Sequence, residues 1–280
     1  VNNLDPEEAR MSMRNSTEVL VVGGGPAGSA AAFWAAQSGR MVVLLEKDVM
    51  PRDRVCGDAV TPKAVGHLAE MGIDVADKRF HKHRGLRMTA HGQSIELRWP
   101  TDHDHPSHGL IIRRNTFDKL LIDHAANEGA QVWTGVEVLQ PIVEHGHLRG
   151  CQALGSGKGS GPEGTIEVRA KFVIIADGPL SPFGRALGTA RTRRYAQGVA
   201  MRGYFPSAKH NEDIIESVFD LRDGNGHQLP GYGWVFPVGD GTVNTGVGLL
   251  SHHHGNDPSS IQQLFEQWLM PVSYTHLTLP

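Results

Sequence analysis

Residues 19–28 read VLVVGGGPAG, and Glu46 closes the next apolar run, MVVLLE. Gly23, Gly25 and Gly28 stand as G-x-G-x-x-G between a β-type run and an Ala-rich stretch. The first glycine permits a tight turn, the second lets the backbone approach a pyrophosphate, and the third lets the helix pack close to the strand. Pro26 and Ala27 lie in the first helical turn, whose free N–H groups and positive dipole end favour phosphate. Glu46 stands 18 residues beyond Gly28, where an acid that binds a ribose belongs. An isolated glycine motif would be weak evidence. Here strand, turn, helix, strand and acid follow in order, which commits the region to a βαβ dinucleotide-binding unit.

Bulk properties narrow the rest. A chain of 280 residues can bury a large core in one or two domains. The hydrophobic fraction is 39% and the formal charge −3, so no basic excess points to nucleic acid. Two cysteines, Cys56 and Cys151, make no disulfide framework, which suits a reducing, cytoplasmic setting. No apolar run approaches the ~18 residues of a membrane span. Residues 1–16 read as a disordered polar tail without the apolar core of a secretory leader, with Met11 or Met13 as alternative starts. His81, His83, His103, His105, His108 and the run His252–His254 read as polar loop residues. No metal is expected, because no partner stands at a ligand spacing.

Patterning suggests strands over 18–23 and 40–46 flanking a helix over 26–38. Thr61 and Pro62 give an N-cap and first position for the next helix. Leu86, Met88, Ile95, Leu97 and Trp99 alternate as a half-buried antiparallel pair. Phe117, Leu120, Leu121 and Ala125 mark an amphipathic helix over 114–128. Strands follow over 131–139, 147–154 and 165–170, with a flexible GSGKGSGPEG connection at 155–164. The continuous FVIIA run at 172–176 reads as a strand buried on both faces. Beyond 191, strands over 199–205, 214–221, 232–238 and 242–250 make a mainly antiparallel layer. The expectation is an α/β, Rossmann-type domain over 17–62 plus 105–190. The second, mainly antiparallel β domain spans 63–104 plus 191–270.

Further signals stand in order: Arg114-Asn115-Thr116-Phe117-Asp118, Ala176-Asp177-Gly178 with Ser181, Cys56-Gly57-Asp58, and PGYGWVFP at 230–237. With the glycine turn they resemble the geranylgeranyl reductase family of FAD-dependent oxidoreductases, over about residues 17–270. That family shares the para-hydroxybenzoate-hydroxylase-like fold of the aromatic-ring hydroxylases. PRDRVCGD, HRGLRM and PGYGWVFP look most like the actinobacterial branch that saturates one double bond in the isoprenoid tail of menaquinone.

The resemblance implies FAD as cofactor and a set of roles. Gly23, Gly25, Pro26, Ala27 and Gly28 would hold the pyrophosphate, and Glu46, with Lys47 beside it, the adenosine ribose. Arg114 would reach the ribityl–phosphate region, with Asp177 and Gly178 lining the same groove. Arg54, Cys56 and Gly57 would approach the isoalloxazine. Tyr232, Trp234, Phe236 and Pro237 would wall the substrate cavity. Plain alternatives stand beside several of these: a helix-cap role for Arg114, a turn role for Asp177, core packing for the three aromatics, and a small buried hydrophobe for Cys56.

The implied substrate is a prenyl quinone or other prenyl lipid, met peripherally at a membrane surface, with an external electron donor. Its isolated alkene has no carbonyl to absorb charge. Hydride addition therefore needs a proton donor and a dry apolar site. A thiol is mostly protonated at neutral pH, so Cys56 is the candidate proton donor, or a control on flavin geometry. An aromatic-ring monooxygenase, or a non-catalytic fragment, are the competing readings. Family members carry a later flavin motif with Gly-Asp. The Gly-Asp pairs here, Gly57-Asp58 and Gly239-Asp240, lack its context. Residues 271–280, PVSYTHLTLP, resemble the translation of a sequencing adapter, so a non-native tail on a truncated gene is expected.

Overall fold

The computed structural model describes residues 16–101, 105–189, 197–250 and 258–275. The sequence readings at 1–15, His103, His252–His254 and 276–280 lie outside them. The chain divides into two compact units. The first takes Val1–Asp53 and Asn115–Arg191, the second Arg54–Arg114 and Thr192–Pro280. The first opens with β1 (Ser16–Val22), α1 (Pro26–Gln37) and β2 (Val42–Glu46). The second then contributes β3 (Ala59–Val60), α2 (Pro62–Glu70), β4 (His81–His83), β5 (Gly85–Ala90), β6 (Gln93–Arg98) and β7 (Gly109–Ile111). From α3 (Arg114–Asn127) the chain returns to the first, through β8 (Gln131–Thr134), β9 (Val136–Glu144), β10 (His147–Gly155), β11 (Gly164–Ile175) and α4 (Pro182–Ala186). It ends in the second with β12 (Gly198–Pro206), β13 (Ile214–Val218), β14 (Gly231–Pro237), β15 (Thr242–Leu250) and α5 (Pro258–Thr275).

The first unit is a six-stranded sheet in the order β8-β2-β1-β11-β10-β9. Strands β8, β2, β1 and β11 run parallel, and β9, β10 and the first half of β11 are antiparallel. Leu20, Val22, Val43, Leu45, Trp133, Cys151 and Val168 fill one core. Small residues on α1 allow it to lie flat on the sheet, with Ala32 and Phe33 buried.

Three expectations need correction. The predicted strand over 131–139 is two strands, broken at Gly135, where φ is +72° and only glycine is unstrained. The predicted strands over 165–170 and 172–176 are one, β11, which pairs with β10 in its first half and β1 in its second. The FVIIA run is not buried on both faces: Phe172 is 69% exposed and Ile174 and Ile175 are over one-third exposed.

The second unit is built on a sheet in the order β12-β15-β14-β13-β5-β6. All neighbours are antiparallel except β13 and β5. Its two faces differ. Val235, Val243, Val247 and Leu249 pack under Leu264 and Trp268 of α5. Trp234, Phe236, Ile215 and Ile111 cluster with Leu86, Trp99 and Tyr204. The β5–β6 pair is less buried than its alternation suggests, since Ile95 and Leu97 on the edge strand are exposed. At α2 the Thr61 hydroxyl accepts the Ala64 N–H at 3.4 Å and Pro62 takes the first position, as read from sequence.

Candidate functional site

In the first unit β1 ends where Gly23 turns the chain with φ +101°. The Gly23 N–H donates to Leu45 O at 2.8 Å, and Ala176 N–H to Val22 O at 2.8 Å, so the turn lies between the ends of β2 and β11. A Cβ on Gly23 would overlap Ala176 O, and one on Gly28 would overlap Gly23 O. Gly25 is different. It caps α1 with extended backbone and no side-chain bond, and a Cβ there would meet only Arg52 Nη2, at 3.9 Å. No acidic residue occupies the first turn of α1. This leaves a bare helix N-terminus behind an unobstructed backbone, the surface a pyrophosphate requires. Pro26 and Ala27 open the helix there.

Glu46 ends β2 and is buried. Its Oε2 accepts the Gly24 N–H at 2.8 Å, and its Oε1 the Asp48 N–H at 3.0 Å. Arg52 lies across it, 3.3 Å from Oε2, and pairs through Nη1 with Asp118 Oδ2 at 2.6 Å. Burial alone would raise the Glu46 carboxyl. The Asp48 N–H, the Arg52 guanidinium and the Gly24 N–H together outweigh it and hold the group below its ordinary range. The carboxylate thus fixes the glycine turn from below. Lys47 follows it, exposed. These residues fit an ADP moiety: the first-turn N–H groups of α1 have no side-chain cap, as an anion site requires, and an ionised acid stands at the end of the neighbouring strand.

Asp177 follows β11 against the Gly23 turn, but its carboxylate is engaged locally. Oδ1 accepts the Ser181 hydroxyl at 2.6 Å and Oδ2 the Phe183 N–H at 2.9 Å, capping α4. Its side chain therefore has the turn role, and Gly178, with φ +89°, continues the same bend. The sequence reading missed Arg52 and left Asp118 without a role. A signal was present, since Asp118 sits on the apolar stripe of α3 between Phe117 and Leu121, and a fully buried carboxylate needs a cation.

In the second unit Arg54, Cys56 and Gly57 form an exposed loop before β3. A Cβ on Gly57 would lie 3.7 Å from the Phe236 ring, so this loop runs beside the aromatic strand. Tyr232, Trp234 and Phe236 share one face of β14, with ring centroids 5.9 Å and 6.1 Å apart in sequence. Trp234 and Phe236 are buried, while Tyr232 is 41% exposed. Pro237 falls on the alternate face, opposite Val243, so strand geometry separates it from the three rings. Arg114 heads α3, half-buried. Its neighbour Arg113 instead bonds Asp240 and Thr242 and lies over Tyr204, 4.1 Å from the ring centre. Cys151 lies inside the core of the first unit, where burial pushes its thiol up to about 12.

The family model described as FAD binding domain matches residues 16–208. Menaquinone reductase of Mycobacterium tuberculosis (strain H37Rv) is 41% identical over 241 residues, 86% of this chain and 57% of that protein. Digeranylgeranylglycerophospholipid reductase of Methanosarcina acetivorans is 31% identical over 251 residues, 87% of this chain and 57% of that protein. A geranylgeranyl bacteriochlorophyll reductase-like protein from Thermoplasma acidophilum superposes with a TM-score of 0.77 at 27% identity, covering 95% of this chain and 65% of that one. The chain thus spans less than two-thirds of the length of each.

Proposed function

Because the chain belongs to the family of FAD binding domains, we propose that it is the FAD-holding part of a reductase that saturates a carbon–carbon double bond in a polyprenyl chain, with a menaquinone tail as the favoured substrate. The observation that carries this reading is the reach of the likeness to menaquinone reductase. Its 241 residues exceed the size of either unit, so the similarity extends beyond the nucleotide-binding unit alone. Bound FAD, once reduced, supplies hydride.

The chain's own residues have separate tasks. The α1 N–H groups and the open backbone at Gly25 bind the pyrophosphate, and Glu46 orients the adenosine ribose. Lys47 stands beside it. Arg114 contacts the ribityl–phosphate region, and Gly178 keeps the adjoining bend open. Trp234 and Phe236 exclude water and pack against hydrocarbon, with Tyr232 at the exposed end of the stripe. Cys56 holds a proton at Sγ, and Arg54 and Gly57 shape its loop. Among the described residues no helix is long and apolar enough to cross a membrane. The lipid is met peripherally, at the inner membrane face, and an external donor delivers the electrons.

The test supplies the FAD-loaded intact protein with reductant and a prenyl quinone, without oxygen, and weighs the lipid. A gain of two hydrogens supports the reading. Stoichiometric oxygen uptake with a hydroxylated product would replace it with a monooxygenase.

A further inference from the structure

The loop that carries Cys56 is pinned at both ends by residues of the aromatic sheet. At one end Arg202 Nη2 donates to Arg54 O at 2.9 Å. At the other the Asp58 carboxylate, 1% exposed, accepts the Tyr204 hydroxyl at 2.7 Å and the Asn244 Nδ2–H at 2.8 Å. Both donors converge on the same oxygen, Oδ2. The backbone oxygen of Asp58 also accepts the Ile112 N–H at 3.1 Å. Tyr204 joins the two ends, since the guanidinium carbons of Arg113 and Arg202 both lie over its ring, 4.1 Å and 4.5 Å from its centre.

The same carboxylate reaches the aromatic strand. Asn244 takes the Trp234 indole N–H on its Oδ1 at 2.8 Å. Asn244 is fully buried and stands in register with Tyr204 on one side and Phe236 on the other. Beneath the indole lies Gly246, where any side chain would collide with the ring. The glycine gives the ring a flat floor, and the hydrogen bond to Asn244 fixes its direction.

We infer that Asp58 is a positioning residue: through Asn244 it sets the plane of Trp234, and through Tyr204 it holds the turn bearing Cys56 and Gly57. One buried carboxylate thereby orders both the hydrocarbon wall and the thiol loop. This rests on the prenyl-reductase reading for its kinetic consequence, not for its geometry.

The experiment uses the intact FAD-loaded protein. Asp58→Ala and Asn244→Leu keep FAD affinity within about twofold and lower kcat for prenyl reduction about tenfold or more, with KM moved far less. Asp58→Asn recovers kcat to within about threefold, because an amide oxygen can stand where Oδ2 receives both donors. Adding Trp234→Phe to Asn244→Leu costs less than the two single losses combined, since the two share one bond. Wild-type kcat in Asn244→Leu, or an Asp58→Asn protein as slow as Asp58→Ala while fully loaded with FAD, overturns the inference.

A second readout is independent of turnover: solvent exchange of the Trp234 indole proton. It is slow in the native protein and accelerates at least about tenfold in Asn244→Leu when the bond is lost. Unchanged exchange overturns the inference even if Asp58→Ala fails to fold. A native protein that leaves prenyl chains untouched, yet shows the exchange effect, refutes the functional reading and leaves the positioning geometry standing.

Discussion

The Gly28 backbone sits against Gly23 so closely that a methyl group on Gly28 would overlap the Gly23 carbonyl oxygen. Gly25, between them, faces open space with only Arg52 Nη2 at the limit of contact. Substitution therefore separates folding from binding. Gly28→Ala is expected to prevent the first unit from folding, seen as loss of the cooperative thermal transition. Gly25→Ala, at φ −76°, is expected to fold with a midpoint within about 2 °C of native and to bind FAD at least about tenfold more weakly. Native FAD affinity in Gly25→Ala would mean that the helix N-terminus is not the phosphate site.

Arg52 bridges two buried carboxylates, and its removal takes the cation from both. Arg52→Met should destabilise the fold by about 3 kcal/mol in urea titration, because breaking a buried ion pair strands its partner. Arg52→Met combined with Asp118→Leu should lose less than the single change, since one of the two stranded carboxylates is then gone. A combined loss equal to the sum of the two single losses would show that Arg52 and Asp118 act independently.

Glu46 gives a signed pH dependence. Its folded carboxyl titrates below the ordinary value of 4.5, so it contributes stability that is present above that pH and lost as the pH falls through the lower folded value. Stability measured from pH 6 downward should therefore decline below about pH 4.5 in the native protein, and Glu46→Gln should flatten part of that decline. Identical acid limbs in the two proteins would remove Glu46 from the account.

The two cysteines should behave oppositely toward a thiol reagent. Cys56 is exposed, whereas Cys151 is fully buried with its thiol raised to about 12. The thiolate is the reactive form. One thiol per native chain should react promptly, the second only after unfolding, and Cys56→Ser should abolish the prompt phase. A prompt phase surviving in Cys56→Ser would place Cys151 outside the core.

What was legible in the sequence was local. The glycine turn, Glu46 and the Thr61–Pro62 helix start depend on residues a few positions apart, and strand period alone put Tyr232, Trp234 and Phe236 on one face. The partner switch within β11 was not legible, because FVIIA looks the same whether or not an element covers it. Nor was the break at Gly135, since a glycine within a β-type run does not announce a positive φ. The Asp58 network was hidden for another reason: Tyr204 and Asn244 stand 146 and 186 residues away, and no local pattern joins them. Asp177 shows the reverse case, a motif residue whose side chain is taken by its own turn.

The central claim is that the β1–α1 turn grips the ADP half of FAD. It is tested most directly by calorimetric titration of the purified protein with FAD, repeated in the presence of ADP and of FMN. The account predicts that FAD binds, that ADP displaces it competitively, and that FMN, which lacks the adenosine monophosphate part of FAD, does not. FAD binding indifferent to ADP, or no FAD binding by the intact protein, would contradict it.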